Sequence, residues 1–275
     1  MDDLSEYHET LRHALPPFFA PLETADRLPT TMARATQLAE AGAPQGATVI
    51  AEEQTAGRGR LGRAWMAPPG TALLVSVVLR PALANPQIWL VASLAGVAMA
   101  DAVRDLLTAS GSPATVGLKW PNDLLLDGRK AAGLLAEAGT GSGDGTVGGQ
   151  LPWIVLGMGV NVGQAATDFP QELASHATSV TLAAGRQVDR AELLGAWGER
   201  FVTGYRDLSQ GMVAPILSAY RDRLETLGRQ VRAERVTGDP VVGTAVDLTS
   251  TGNLVILTDT GARIEVATAD IEHVR

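Results

Sequence analysis

The glycines Gly57, Gly59 and Gly62 spell G-x-G-x-x-G, and Pro68-Pro69-Gly70 follows closely behind them. In a dinucleotide-binding unit that spacing closes a strand and opens a helix whose N-terminus receives the pyrophosphate. The strand is supplied by "ATVIAEE" (47–53). The helix is not, because the paired prolines forbid one beginning at Gly62, and helical periodicity resumes only near residue 88. What is left is a glycine loop between two strands that carries Arg58, Arg60 and Arg63 with no acid among them. Glycine lets main-chain N–H groups come close to a ligand, and arginine offers forked donors that suit phosphate or carboxylate. A solvated basic turn explains such a run about as well when the loop is taken alone. Under the ligand reading the loop binds an anion and closes over it, excluding water.

A chain of 275 residues allows one large domain and a small one, or two of medium size. No cysteine is present, which excludes thiol nucleophiles, thiolate metal sites and a disulfide scaffold. His8, His13, His176 and His273 are scattered without ligand spacing and are expected to be surface or structural residues. The longest nearly apolar run, 88–100, is too short to span a bilayer, and the acidic Met-Asp-Asp start is unlike a secretory signal, so a cytoplasmic protein without membrane contact is expected. A net charge of −8 argues against nucleic acid as a partner. Lys119 and Lys130 are the only two lysines among 22 basic residues, and both fall within "KWPNDLLLDGRK". That segment is expected to need a compact ammonium where guanidinium does not serve; chance clustering of a rare residue is the plain alternative.

Residues 1–26, with Pro16, Pro17 and Pro21, read as a helix-poor or short-helix lead-in without a DNA-reading motif. A helix is expected over 31–41, stopped by Gly42, and a central strand over "ALLVSVVLR" (72–80), apolar nearly throughout. Asn85-Pro86 is expected to cap a helix running to about 109. Strands are expected at 115–119, 123–127, 131–138 and 153–162, with a flexible glycine-rich turn over 139–150. Helices follow at 189–208, opened by an Asp189/Glu192 capping box, and at 212–227. Beyond Gly228 come only short strands, at 230–236, 241–248, 253–258 and 262–266, which suggests a boundary near 227 and a small β-barrel.

"AEEQTAGRGRLGRAW", "KWPNDLLLDGRKAAGLLAE" and "VLGMGVNV", in that order, resemble the biotin–protein ligases, also called biotin–[acetyl-CoA carboxylase] ligases. The likeness runs from about Thr30 through the tail. The helix-turn-helix domain of the family's repressor members is not seen, so the resemblance is to the monofunctional kind. It implies a mixed-sheet α/β (α+β) catalytic domain over 27–227, of the type shared with class II aminoacyl-tRNA synthetases, and an SH3-like β-barrel over 228–275. It also implies activation of biotin with ATP and Mg²⁺ as biotinyl-5′-AMP, then transfer to a lysine of a biotin carboxyl carrier domain.

By the same resemblance, "TTM" (30–32) stands where the family usually has Ser-Thr-Asn around the biotin ureido ring, with Met32 in place of the polar residue. Thr30, Thr31, Gln54, Gly57, Arg58, Lys130 and Gly133 are implied as biotin contacts, with Lys130 and Arg58 catalytic. Arg60, Arg63, Trp65, Lys119, Asn122 and Asn161 are implied on the ATP or adenylate side, and Asp123 as a magnesium ligand. Independent chemistry agrees: joining a carboxylate to a triphosphate needs local positive charge, and the mixed anhydride needs protection from water. A lipoate–protein ligase with the same adenylation logic, or a non-catalytic biotin or nucleotide sensor, stays open at this point. So does a homodimer, since long apolar strands pair across an interface as readily as they pack internally.

Overall fold

The apolar runs gather into a seven-stranded sheet, and the short strands of the tail form a five-stranded one. The computed structural model describes residues 2–84, 87–139, 151–235 and 238–274. The larger sheet contains β1 (Leu22–Leu28), β2 (Thr48–Gln54), β3 (Ala72–Leu79), β4 (Val116–Lys119), β5 (Asp123–Leu126), β6 (Arg129–Ala138) and β7 (Ile154–Asn161), in the order β1-β2-β3-β7-β6-β5-β4. Only the β1–β2 pair is parallel. The helices are α1 (Asp2–Ala14), α2 (Thr31–Glu40), α3 (Trp89–Ala109), α4 (Val180–Ala184), α5 (Arg190–Ser209) and α6 (Val213–Arg223). The smaller sheet is antiparallel throughout, with β8 (Gln230–Arg235), β9 (Val241–Leu248), β10 (Leu254–Leu257), β11 (Arg263–Val266) and β12 (Ala269–His273). This arrangement is consistent with the expected SH3-like form.

The two faces of the larger sheet differ in kind. Successive strand residues point to opposite faces. Leu73, Val75, Val77 and Leu79 of β3 join Leu156, Met158 and Val160 of β7 in the main apolar cluster, which α3 and α5 complete. The opposite face packs α2 through Met32, Ala35 and Ala39 onto Val49, Val78 and Val155. Further along, that face carries Gly157, covered by Met32 of α2, and Gly159 and Gly133, covered by Trp65. Behind the main cluster an aromatic ladder locks α5, with Phe19, Trp197, Phe201 and Tyr205 at centroid spacings of 5.4, 5.0 and 5.7 Å. The barrel is fastened by Trp120, whose indole N–H donates to the Gly252 carbonyl at 2.9 Å, and by an Arg221–Asp247 ion pair at 2.7 Å.

Several expectations need correction. Of the two forms expected for residues 1–26 the helical one is found, α1 ending at Ala14, burying Leu11 and meeting α5, whereas β1, which then joins the main sheet, was not expected. β1 escaped notice because "LETADRL" has no alternation; it is an edge strand held by backbone pairing to β2. Also unforeseen were α4 and β12, whose "ADIEH" is mostly polar. α6 ends at Arg223 rather than 227. Asp189 does cap α5, accepting from the Ala191 N–H at 2.7 Å, but Glu192 makes no reciprocal bond among the described residues. The expected Asn85-Pro86 cap and, apart from Gly139, the glycine-rich turn over 139–150 lie outside the described residues. Among the described residues no helix is long and apolar enough to cross a membrane.

Trp197 is fully buried at the centre of the ladder. Trp197→Ala is expected to destabilise the fold by about 3–5 kcal/mol, read as a lower denaturant midpoint with an unchanged slope.

Candidate active site

The open face of the larger sheet forms the floor of a cleft of about 880 Å³, walled by the arginine loop, the turn before β5 and strand β12 of the barrel. Its floor is made by alternation in β7: Leu156, Met158 and Val160 point into the core, while Gly157, Gly159 and Asn161 point into the cleft. The missing side chains are filled from above. A Cβ on Gly159 would stand 2.5 Å from the Trp65 ring, one on Gly157 would stand 2.6 Å from the Met32 sulfur, and one on Gly133 would stand 3.2 Å from Trp65. The indole of Trp65 therefore lies flush against backbone.

A β-bulge aims the lysine. Between β5 and β6 the register slips after Leu124, so that Leu124 faces Ala132 while Leu125 faces Lys130. Without the slip, Lys130 and Gly133 would point to opposite faces; with it, both line the cleft. The Lys130 backbone is tied to the neighbouring loop, donating to the His176 carbonyl at 2.7 Å and accepting from the Thr178 N–H at 2.9 Å. Its ammonium pairs with Asp123 Oδ1 at 2.7 Å and sits 5.8 Å from the centre of the Trp65 ring. Asp123 is also the register partner of Lys119 across the β4–β5 ladder.

The arginine loop folds on itself. Trp65 donates to the Gly57 carbonyl at 2.9 Å, Gly59 to Arg63 at 2.8 Å, and Leu61 at the tip has φ of 56°. Its arginines diverge: Arg58 forms no ion pair among the described residues, Arg60 reaches the Asn122 amide oxygen at 3.5 Å, and Arg63 pairs with Asp270 of β12. Burial lowers the Arg60 pKa from its ordinary value, and the carboxylates of Asp123 and Asp270 work against that shift. Asn122 is held by donating to the Leu134 carbonyl at 2.6 Å.

At the other end of the cleft, Thr30 caps α2 by accepting from the Met32 N–H at 3.3 Å. The Gln54 side-chain oxygen accepts from both the N–H and the hydroxyl of Thr31, at 2.8 and 3.1 Å. Asn161 donates to the Thr178 carbonyl at 3.1 Å and accepts from Gln164 at 3.0 Å, and its second amide hydrogen meets no acceptor among the described residues.

The structure thus brings Thr30, Thr31, Gln54, Arg58, Arg60, Arg63, Trp65, Lys119, Asn122, Asp123, Lys130, Gly133 and Asn161 to one cleft. Gly57 lies behind the wall, buried where a Cβ would meet the Gln54 amide nitrogen at 3.0 Å. Sequence reading missed Gly157, Gly159, Gln164, Asp270 and the cleft-lining positions of His176 and His273. The Leu-Gly-Met-Gly alternation could have revealed the first two; the others depend on long-range packing. No group of three metal-ligating side chains occurs among the described residues. Asp123, as a single carboxylate, suits a hard cation that draws its other ligands from phosphate and water.

Residues 24–160 match the model of the biotin/lipoate A/B protein ligase family, and residues 226–274 that of the biotin protein ligase C-terminal domain. The chain is 38% identical over 236 residues to a biotin–[acetyl-CoA-carboxylase] ligase of Mycobacterium tuberculosis, covering 84% of this chain and 80% of that one. It is 33% identical over 250 residues to the bifunctional ligase/repressor BirA of Bacillus subtilis, covering 90% of this chain and 72% of the relative. Among solved structures, a biotin protein ligase from Aquifex aeolicus in complex with biotin and ATP superposes with a TM-score of 0.75 at 25% identity, covering 93% of this chain and all (100%) of that one.

Gly159→Ala is expected to expel the Trp65 ring from its seat at a cost of about 1–3 kcal/mol. The readout is a red-shifted tryptophan emission that Trp65→Phe removes. His273 is held neutral by burial and by the nearby charges of Lys119 and Arg229, which lower its pKa from 6.5 to about 4. Its contribution to stability is therefore complete above pH 6.5 and is lost as pH falls toward 4. Melting temperatures across that range should fall more steeply for the wild type than for His273→Gln.

Proposed function

The chain belongs to the biotin protein ligase family, and on that premise we propose that its cleft activates biotin with ATP as biotinyl-5′-AMP and passes the biotinyl group to a lysine ε-amine of a carrier protein. The observation that carries the reading is the single cleft that joins a polar, amide-lined end at Thr30, Thr31 and Gln54 to a cationic end at Arg58, Lys119 and Lys130. The first end suits a ureido ring, whose polar edge needs convergent partners. The second suits the meeting of a carboxylate with a triphosphate.

In the first step a biotin carboxylate oxygen attacks the α-phosphorus of ATP, and the bond to the pyrophosphate leaving group breaks. Both reactants are anions, so charge must be offset where it accumulates. We assign that task to Lys130 and Arg58. The Lys130 ammonium is paired with the half-buried Asp123 at 2.7 Å, and the triphosphate is proposed to compete with that carboxylate for it. Magnesium held through Asp123 would supply further neutralisation of the pyrophosphate oxygens. Arg60, Arg63, Asn122 and Asn161 are proposed to hold the nucleotide. Trp65 is proposed to cover the adenylate and shed water from the anhydride.

In the second step the lysine amine of the acceptor attacks the biotinyl carbonyl carbon, AMP departs with the anhydride oxygen, and the amine loses a proton to give the amide. No covalent enzyme intermediate is needed. We propose a biotin carboxyl carrier domain of a carboxylase as acceptor, in the cytoplasm. The edge strand β1 offers unpaired backbone as support for a homodimer.

The test is biotin-dependent exchange of labelled pyrophosphate into ATP, with lipoate and octanoate run alongside. Exchange with biotin alone is expected; exchange with lipoate alone would overturn the substrate assignment. Lys130→Ala is expected to lower the exchange rate by about 100-fold or more while leaving the melting temperature within a few degrees, and an unchanged rate would remove Lys130 from the chemistry.

A further inference from the structure

Arg190 is the first residue of α5, where a cation opposes the helix dipole, and its side chain is only 14% exposed. A desolvated charge in an unfavourable place calls for a physical reason. Its guanidinium makes three contacts. Nη2 lies 2.9 Å from Glu52 Oε2, Nη1 donates to the Ala72 carbonyl at 3.1 Å, and Cζ sits 4.3 Å from the centre of the Tyr7 ring on α1. Glu52 is itself buried, and none of Arg190, Glu52 and Tyr7 lines the cleft.

These contacts meet at the two feet of the arginine loop. The loop leaves β2 after Gln54 and returns at Ala72, the first residue of β3. The pairing of β2 with β3 ends at Ala51 and Leu74, short of both points, so the sheet splits at the feet. Each foot is tied to a different neighbour: the Thr55 N–H donates to the Leu28 carbonyl at the end of β1 at 2.9 Å, and the Gly163 N–H, just past β7, donates to the Thr71 carbonyl at 2.7 Å. Among the described residues the split is bridged by the Gly70 N–H, which donates to the Glu52 carbonyl at 3.1 Å, and by the Arg190 guanidinium, which joins the Glu52 carboxylate to the Ala72 carbonyl. One main-chain bond alone is a hinge; the planar fork of arginine adds two contacts of fixed geometry. Without the guanidinium, Glu52 is a buried charge that has lost its counter-ion, which favours opening of the split to water.

We propose that Arg190 is a positioning residue that staples together the two feet of the arginine loop, so that the segment carrying Arg58, Arg60, Arg63 and Trp65 closes over the adenylate from a fixed base. Tyr7 covers the staple and thereby ties α1 to the loop without reaching the cleft. The link to the adenylate rests on the ligase reading of the cleft; the stapling of the loop does not.

The experiment compares the wild type with Arg190→Lys and with the double variant Glu52→Gln/Arg190→Met. The double variant removes both buried charges together, so neither is stranded, whereas lysine keeps the charge beside Glu52 but cannot reproduce the fork. The first readout needs no activity: the rate of trypsin cleavage after Arg58, Arg60 or Arg63 in the ligand-free protein, with the fragments assigned by mass. The double variant is expected to be cut in the loop about tenfold faster than the wild type, and Arg190→Lys at an intermediate rate, while cleavage elsewhere keeps its pace. A role confined to global stability would speed cleavage at all sites together and leave the loop's share unchanged, which would overturn the proposal. So would a loop cut at the wild-type rate. The second readout is the escape of preformed biotinyl-5′-AMP into solution, also expected to rise about tenfold in the double variant; escape at the wild-type rate would sever the staple from closure. If the double variant does not fold, Arg190→Lys decides both readouts. A wild-type protein that forms no adenylate overturns the ligase reading alone, and the cleavage readout then still decides the staple.

Discussion

Trp65 and Met32 pack flush on the larger sheet only because β7 carries side chains on one face and almost none on the other. Its core face is Leu156, Met158 and Val160, and its cleft face is Gly157, Gly159 and Asn161. Glycine weakens a strand, so the loss must be made good by the opposite face. α3, buried nearly all round, and the aromatic ladder on α5 provide that backing. The helices therefore matter to the site without touching it, because they hold flat the strands whose other face has been emptied. Trp65 and Met32 then define the shape of the space that the glycines leave.

The electrostatics follow a similar economy. The chain as a whole carries −8, yet the cleft collects Arg58, Arg60, Arg63, Lys119 and Lys130. Two of these cations are paired locally, Lys130 with Asp123 at the start of β5 and Arg63 with Asp270 on the barrel. The Arg63–Asp270 pair is exposed and stabilises little, so it holds the arginine in place while leaving it available to a competing polyanion. The barrel takes part in this arrangement through β12, which supplies the carboxylate that meets the arginine loop and the neutral His273 beside Lys119. It is a wall of the cleft as well as a brace.

Much of the larger sheet was legible because its strands are apolar and bounded by glycine, proline or helix caps. β3 and β7 fall within the expected limits of 72–80 and 153–162. The failure of the dinucleotide motif was also legible, from Pro68-Pro69-Gly70, and among the described residues no α-helix follows Gly62 until α3. β1 and β12 were not legible, since edge strands with polar sequences are held by backbone pairing that leaves no periodic trace. The motifs named most of the cleft residues, but the sequence carries no sign of the bulge that puts Lys130 and Gly133 on one face, nor of the packing that sets Gly57 behind the wall.

What spacing alone could not convey is polarity. A glutamine or asparagine in a sequence is both donor and acceptor, and only its fixed surroundings decide which end a ligand meets. In this protein the main chain decides. The Thr31 N–H turns the oxygen of Gln54 inward, and the Thr178 carbonyl turns the nitrogen of Asn161 toward itself. Backbone groups cannot exchange donor for acceptor, so an amide anchored to one has its orientation set before any ligand arrives. A site built this way loses little ordering entropy on binding and discriminates by leaving a wrongly matched partner unpaired in a desolvated place, where one misdirected hydrogen bond costs about 1–3 kcal/mol. The orientation of the Gln54 amide therefore originates in the register between α2 and the sheet, which brings the Thr31 N–H to its oxygen.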